Sequence, residues 1–271
     1  MKETFISLAG MKDAIQRGKD NGCNELVISG GEPTIFPSVI IKLMTLAEEL
    51  GYEKYIIQTN GSGLVDNDEL LQFLDLIAQK KEVCISFSVH GHTSEIHDKM
   101  SGMLGAFSSL TKAIQNVSKT NCKIYTNTVI SSLNVKYLAN VARMILPYNP
   151  DIMQFSMMHL TNPSELSISL SDSVLAVHGL RNLVDLEILR TEGIPYCLMY
   201  GMEKCVGESC WPNRLDLYNR EDSYMSDFKQ LEYGMRRKLE SCEKCILNKI
   251  CMGVWSEHFD EFFTLGIHPI I

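Results

Sequence analysis

Five short apolar runs in the first 160 residues, each next to a helix-like stretch of about 12–15 residues, leave this 271-residue chain few folds to choose from. The runs are Leu26–Ser29, Tyr55–Thr59, Val83–Val89, Lys123–Ile130 and Ile152–Met157. Between them, Leu8, Met11, Ile15 and Gly18 recur at helical spacing before an Asn21-Gly22 stop, and further helical segments lie near 37–50, 66–80, 105–119 and 134–146. Strands alternating with helices predict an α/β fold with a parallel sheet and βα crossovers. Ligands of such folds gather at the C-terminal ends of the strands. The polar residues expected there are Glu32, Asn60, Ser88, His90, Asn127 and His159.

The rest of the chain reads differently. A helix is expected around 171–191, then a strand over Gly193-Ile194-Pro195-Tyr196-Cys197, an irregular loop over 205–223 and a helix near 224–240. This predicts two domains, 1–192 and 193–271. Acidic residues exceed basic ones by 33 to 25, for a net charge of −8. That balance argues against a nucleic-acid partner, which needs clustered Lys and Arg. Arg236-Arg237-Lys238, the one dense basic stretch, reads as a solvated helix face. No apolar segment approaches the roughly 18 residues of a membrane span. The opening Met-Lys-Glu-Thr lacks the apolar core of a signal peptide, so a cytoplasmic location is expected.

The turn after the first strand carries the most chemistry. Gly30-Gly31-Glu32-Pro33-Thr34 follows Leu26-Val27-Ile28-Ser29 directly. Two glycines let the backbone approach a ligand with no side chain in the way. A carboxylate beside them can pair with an ammonium group, and Pro33 stiffens the exit. The second constellation is cysteine. Of nine cysteines, Cys23, Cys84 and Cys122 are isolated and read as buried bystanders, while Cys197, Cys205, Cys210, Cys242, Cys245 and Cys251 crowd the last third. Without a secretory signal, disulfides are not expected. Cys242-x2-Cys245-x5-Cys251 places three thiolates near one turn, a pattern open to zinc as well as to an iron–sulfur cluster.

Strand, Gly-Gly-Glu-Pro turn and helix together resemble the S-adenosylmethionine (SAM) site of the radical SAM superfamily. Further matches are Gln58-Thr59-Asn60-Gly61, Ser86-Phe87-Ser88-Val89-His90-Gly91, His97–Gly102 with Gly105-Ala106-Phe107, and Asn127-Thr128-Val129-Ile130 followed by Asn134. The resemblance runs from about residue 7 to the end. It implies a partial (β/α)6 TIM-like barrel, lacking its first strand, with a small cysteine-rich module behind it. It also implies that Gly30, Gly31 and Glu32, with Pro33, hold the amino group of SAM, that Ser88 meets the ribose and that Asn127 faces the methionyl part. The adenine contact falls around Phe155 to Met158.

Cys251-Met252-Gly253, an aromatic run and Gly266 resemble the SPASM, or twitch, module, which carries an auxiliary [4Fe-4S] cluster. Cys197 is the expected fourth ligand beside Cys242, Cys245 and Cys251. Cys205 and Cys210 are reserve candidates on a loop, and His258 is expected on an amphipathic helix. The implied activity is reductive cleavage of SAM to methionine and a 5′-deoxyadenosyl radical, used in peptide or protein maturation with a flavodoxin- or ferredoxin-type reductant. No individual catalytic residue is assigned. The family's Cys-x3-Cys-x2-Cys loop lies upstream of the glycine turn, and no cysteine precedes Cys23. The expectation is therefore that the sequence begins just after strand one and its loop, and that the chain as written does not generate radicals. The alternative is a non-catalytic iron–sulfur or zinc-binding protein on the same fold; a nucleoside or tRNA modifier is disfavoured by the acidic charge.

Overall fold

A computed structural model describes residues 7–159, 164–210, 217–218, 224–225, 234–266 and 270. The alternation read from the sequence is present: α1 (Leu8–Asp20), β1 (Glu25–Ile28), α2 (Pro37–Glu49), β2 (Lys54–Thr59), α3 (Asp68–Ala78), β3 (Glu82–Ser88), α4 (Ser94–Ser101), α5 (Ala106–Val117), β4 (Lys123–Ile130), α6 (Leu138–Ile145) and β5 (Ile152–Met157). α7 (Leu170–His178) and β6 (Leu189–Glu192) follow. Among the described residues six parallel strands form one sheet in chain order, with β1 and β6 at its two ends, a partial TIM-like α/β fold. Among the described residues no helix is long and apolar enough to cross a membrane.

Two compact units divide the chain. The first holds the residues up to Ser88 and Ser109–Ile124, with the antiparallel pair β7 (Leu217–Tyr218) and β8 (Tyr224–Met225). The second holds Val89–Ser108, the chain from Tyr125 to Cys210, and the C-terminal stretch with β9 (Arg236–Arg237), β10 (Val254–Trp255) and α8 (Phe259–Thr264). Core packing follows the periods expected of each element. α6 buries Leu138, Val141, Ala142 and Ile145, one stripe of a helix, while β4 buries every second residue from Ile124 to Ile130.

The last third departs from the sequence reading. The helix expected over 171–191 is a helix that stops at Gly179 and a sixth strand. Leu189-Arg190-Thr191-Glu192 alternates buried and half-buried positions, a period-two signal too short to show in a helical window. The strand expected through Cys197 is a 3₁₀ turn, Tyr196–Leu198, because Pro195 fixes the entry to the turn. The loop expected over 205–223 contains the 3₁₀ turn Gly207–Cys210 and strand β7; residues 211–216 and 219–223 lie outside the described residues. In the helix expected near 224–240, residues 224–225 and 236–237 are strand and 226–233 lie outside the described residues. His258 ends a 3₁₀ turn, Ser256–His258, just before α8.

Arg236 is not on a solvated face. It is buried, pairs across the β9–β10 ladder with Trp255, lays its guanidinium 3.6 Å over that indole ring and stands 3.1 Å from the buried carboxylate of Glu208. Burial pushes the Glu208 carboxyl up, against the pull of Arg236. The same carboxylate accepts the Gly193 amide at 2.7 Å, which ties the end of β6 to this cluster.

At the N-terminal ends of the strands in the first unit, opposite charges alternate. Glu25 meets Lys54 at 2.7 Å, Lys54 meets Glu82 at 3.6 Å, and Glu82 meets Lys123 at 2.8 Å. The strand register demands the contact, since Glu25, Lys54 and Glu82 are paired residues. Burial works against both ions, yet the partners win: Lys54 is raised above, and Glu82 lowered below, its ordinary range. The stabilisation is therefore present between those ranges. It is lost as pH falls through the depressed pKa of Glu82 or rises through the raised pKa of Lys54. Because these side chains are about one-third exposed, Lys54→Met is expected to cost about 1 kcal/mol at neutral pH by urea unfolding. An unchanged unfolding midpoint would show that the ladder contributes nothing.

Candidate functional site

In the first unit, β1 delivers the chain to Gly30 and Gly31, both exposed and both at positive φ, 90° and 59°. These values are open to glycine and strained for other residues. A Cβ at Gly30 would meet no atom within 4 Å, so open space lies before this stretch of backbone. Glu32 faces the other way. One carboxylate oxygen accepts the Thr34 amide at 3.0 Å, the Thr34 hydroxyl, and the Thr59 hydroxyl at 2.6 Å; the second accepts the Asn60 amide at 2.6 Å. The group that sequence reasoning offered to an ammonium is thus a brace that caps the 3₁₀ turn Pro33–Ile35 and ties it to the end of β2. Gly63 belongs to the same brace. Its amide donates to the Thr34 hydroxyl at 3.1 Å, and a Cβ there would lie 2.3 Å from the Thr34 carbonyl. What the turn leaves open to a ligand is the Gly30–Gly31 backbone. Thr34 and Thr59 were read as parts of their motifs without this role, and Gly63 was missed, although a Thr-Asn-Gly-x-Gly end to a strand was a readable signal. Ser88, at the end of β3, is half-buried.

In the second unit, Asn127 projects from β4 on the same face as Gln154 and Ser156 of β5 and Glu192 of β6. The register pairs Asn127 with Gln154 and Ser156 with Glu192. Ser156 Oγ lies 2.8 Å from the Asn127 amide and 3.0 Å from Glu192 Oε2, and Gln154 Nε2 donates to Glu192 Oε2 at 2.9 Å. Glu192 escaped sequence reasoning because the strand that carries it did; Gln154 lies on a strand that was read, β5, but was not singled out there.

Buried Asn134 holds the neighbouring loop. Its amide donates to the carbonyls of His90 at 3.0 Å and Val129 at 2.8 Å, while its oxygen accepts the Ser131 amide at 2.8 Å. The His90 amide donates to Nδ1 of buried His97 at 3.1 Å, and the two rings stack at 5.9 Å. Burial, with the neighbouring His97, pushes the His90 imidazole down to about 4. It is a neutral ring at pH 7. His159 is exposed; it stacks on Trp255 and pairs with Glu257 at 2.6 Å.

The late cysteines separate into two groups. Cys197, Cys242, Cys245 and Cys251 line one pocket, together with Lys238 and Leu247. Cys205 is buried elsewhere, its thiol toward the Leu186 carbonyl, and Cys210 is exposed beside Ser209. His258 points at the Met158 carbonyl. Burial, then the nearby Cys251 and Cys242, pushes the Cys197 thiol up to about 12. Cys251 is also raised by burial, although its sulfur accepts the Gly253 amide at 3.4 Å. The donor set is that of a thiolate-bound metal or cluster, and an N–H to sulfur bond suits such a thiolate. The sulfurs share a pocket without converging: among the described residues no three His, Cys, Asp or Glu side chains stand close enough to hold an ion.

The sequence profile of the Radical SAM superfamily matches residues 2–145, more than half of the chain. The chain belongs to the radical SAM superfamily. The AdoMet-dependent heme synthase of Methanosarcina barkeri (strain Fusaro / DSM 804) is 29% identical over 111 residues, 41% of this chain and 30% of that protein. Among solved structures, native anSMEcpe with bound AdoMet and Kp18Cys peptide superposes with a TM-score of 0.61 at 15% identity, over 94% of this chain and 87% of that one. Streptococcus suis SuiB bound to precursor peptide SuiA gives 0.55 at 18% identity, over 65% and 39%. This radical SAM chain thus spans less than a third of its curated relative, and the structural likenesses are likenesses of fold.

Two outcomes follow for this site. Removing the brace with Glu32→Ala leaves the Asn60 and Thr34 amides without their acceptor, at a cost of about 2 kcal/mol, with faster hydrogen exchange at both amides. Unchanged stability would mean that the carboxylate is not holding the turn. His90, neutral when folded, gains a proton more readily when unfolded. Stability should therefore fall by about 2–3 kcal/mol as pH drops from the ordinary histidine range toward about 4. His90→Phe should flatten that slope in pH-dependent urea unfolding; an identical slope in the variant would remove His90 as its source.

Proposed function

We propose that this chain binds SAM at the strand ends and carries an auxiliary [4Fe-4S] cluster on Cys197, Cys242, Cys245 and Cys251, as part of a radical SAM enzyme that matures peptides or proteins. The observation that carries the reading is the exposed Gly30–Gly31 backbone at positive φ, facing open space and held from behind by Glu32. An amino-acid ligand needs acceptors for its ammonium, and bare carbonyls on a fixed turn supply them. Ser88 would contribute a hydroxyl to the ribose, and Asn127 its amide to the methionyl part. Pro33 keeps the exit of the turn fixed.

In this superfamily a [4Fe-4S] cluster supplies the electron that cleaves SAM to methionine and a 5′-deoxyadenosyl radical. No Cys-x3-Cys-x2-Cys pattern stands in these 271 residues. The four pocket cysteines would hold the second cluster, which would serve electron transfer or substrate ligation. The Gly253 amide on Cys251 and the burial of the pocket would tune it. A peptide substrate is favoured by the late cysteine pattern, and peptide-bound structures occur among the fold relatives. A flavodoxin- or ferredoxin-type protein would be the reductant.

The test is equilibrium dialysis with labelled SAM, beside iron, sulfide and zinc analysis after anaerobic reconstitution. The wild-type chain should bind SAM, and Gly30→Val, forced into φ +90°, should weaken binding at least about tenfold. Iron and sulfide should bind and be lost together in Cys242→Ala/Cys245→Ala. Unchanged SAM affinity in Gly30→Val would sink the turn assignment, and zinc without sulfide would replace the cluster by a zinc site.

A further inference from the structure

The four side chains on the inner face of β4, β5 and β6 hold one hydroxyl proton between two claimants. Ser156 Oγ is within hydrogen-bond distance of three groups: the Asn127 amide at 2.8 Å, Glu192 Oε2 at 3.0 Å and Gln154 Nε2 at 3.0 Å. A serine hydroxyl has one proton to give and two lone pairs to offer. Gln154 Nε2 can only donate, and it serves both Ser156 and Glu192 Oε2, the latter at 2.9 Å. The Ser156 proton therefore goes either to Asn127 or to Glu192.

The two choices are not equivalent. With the proton on Asn127, a carboxylate oxygen of Glu192 would face a serine lone pair at 3.0 Å, acceptor against acceptor. With the proton on Glu192, the stronger charged acceptor is served. Asn127 must then turn its Nδ2 toward Ser156, a rotation that exchanges amide nitrogen and oxygen while leaving the heavy-atom positions as they are. Ser156 then accepts twice and donates once. Each of the four contacts within the row then sets a donor against an acceptor, and Ser156 is buried, where a mismatch would cost most.

We infer that Glu192, acting through Ser156, is a positioning residue that makes Asn127 present its carbonyl oxygen, rather than its amide protons, to the inner face, so that the ligand group met by Asn127 is an ammonium. The inference rests on the proposal that SAM binds here. SAM carries an ammonium with three protons to place, and an oxygen at Asn127 would take one of them. A carboxylate set against Asn127 would be turned away.

Two measurements test it. The first is dialysis of SAM and of the SAM analogue lacking its α-amino group. Glu192→Leu, which returns the Ser156 proton to Asn127, should weaken SAM about tenfold and leave the analogue unaffected. Glu192→Gln should stay within about twofold of wild type for SAM, because a glutamine oxygen in place of Oε2 accepts the same two donors. Equal losses for both ligands, or no loss, overturn the ammonium assignment. The second is solvent exchange of the Asn127 side-chain NH2, read by NMR on asparagine-labelled protein without any SAM. It should be about tenfold slower in wild type and Glu192→Gln than in Glu192→Leu. Equal or faster exchange in wild type overturns the orientation. If the wild-type chain binds no SAM, the ligand proposal fails and the ammonium assignment with it, while the exchange result still decides the orientation by itself.

Discussion

Everything at the first strand end depends on a single carboxylate. Glu32 gathers four donors from two separate turns, the amides of Thr34 and Asn60 and the hydroxyls of Thr34 and Thr59. Left-handed glycines are cheap locally but entropically loose. Something must hold Gly30 and Gly31 in place, and the holding group has to come from behind, where it does not occupy the ligand's space. Glu32 does this through Thr34, Thr59 and Asn60. Gly63 allows the second turn to come close enough.

The second unit solves a related problem with neutral groups. Asn134 joins the loop after β3 to the loop after β4 by three bonds to backbone, and so fixes where His90 stands. Asn127, Gln154, Ser156 and Glu192 form a row whose donors and acceptors match only in one arrangement. In both units the groups offered to a ligand are positioned by neighbouring side chains. Precision is built one layer back, where burial makes a wrong hydrogen bond expensive.

Much of the fold was legible because its signals are long. The five runs from Leu26 to Met157 stand next to amphipathic helices, and the turn glycines punctuate them. β6 was hidden because four residues of alternation, Leu189 to Glu192, are too few to compete with the helical pattern leading into them. Arg236 looked solvated because its sequence neighbours are basic; only the β9–β10 pairing, which sets it against Trp255 and Glu208, reveals it as buried. Gly30, Gly31 and Ser88 were readable as strand-end residues, whereas Asn127, expected at an end, lies inside β4. The inward turn of Glu32 was not, since a sequence states which groups a residue owns and not which of them its neighbours have already engaged. The grouping of Cys197 with Cys242, Cys245 and Cys251 around one pocket, apart from Cys205 and Cys210, likewise needed the chain's path in space.

The short bridge between Thr191 and Val206 lies along the outer side of β6. Gly207 is pressed so close to it that a Cβ would lie 2.6 Å from the Thr191 carbonyl. A bare parallel edge is a template for any passing extended segment. Here that template is shielded at β6 by the chain's own next loop, whereas β1 ends the sheet at its opposite side. Among the described residues the sheet is therefore polar in how it can grow: a strand that joins it in register has β1 to join, next to the glycine turn, and not the side that carries Glu192.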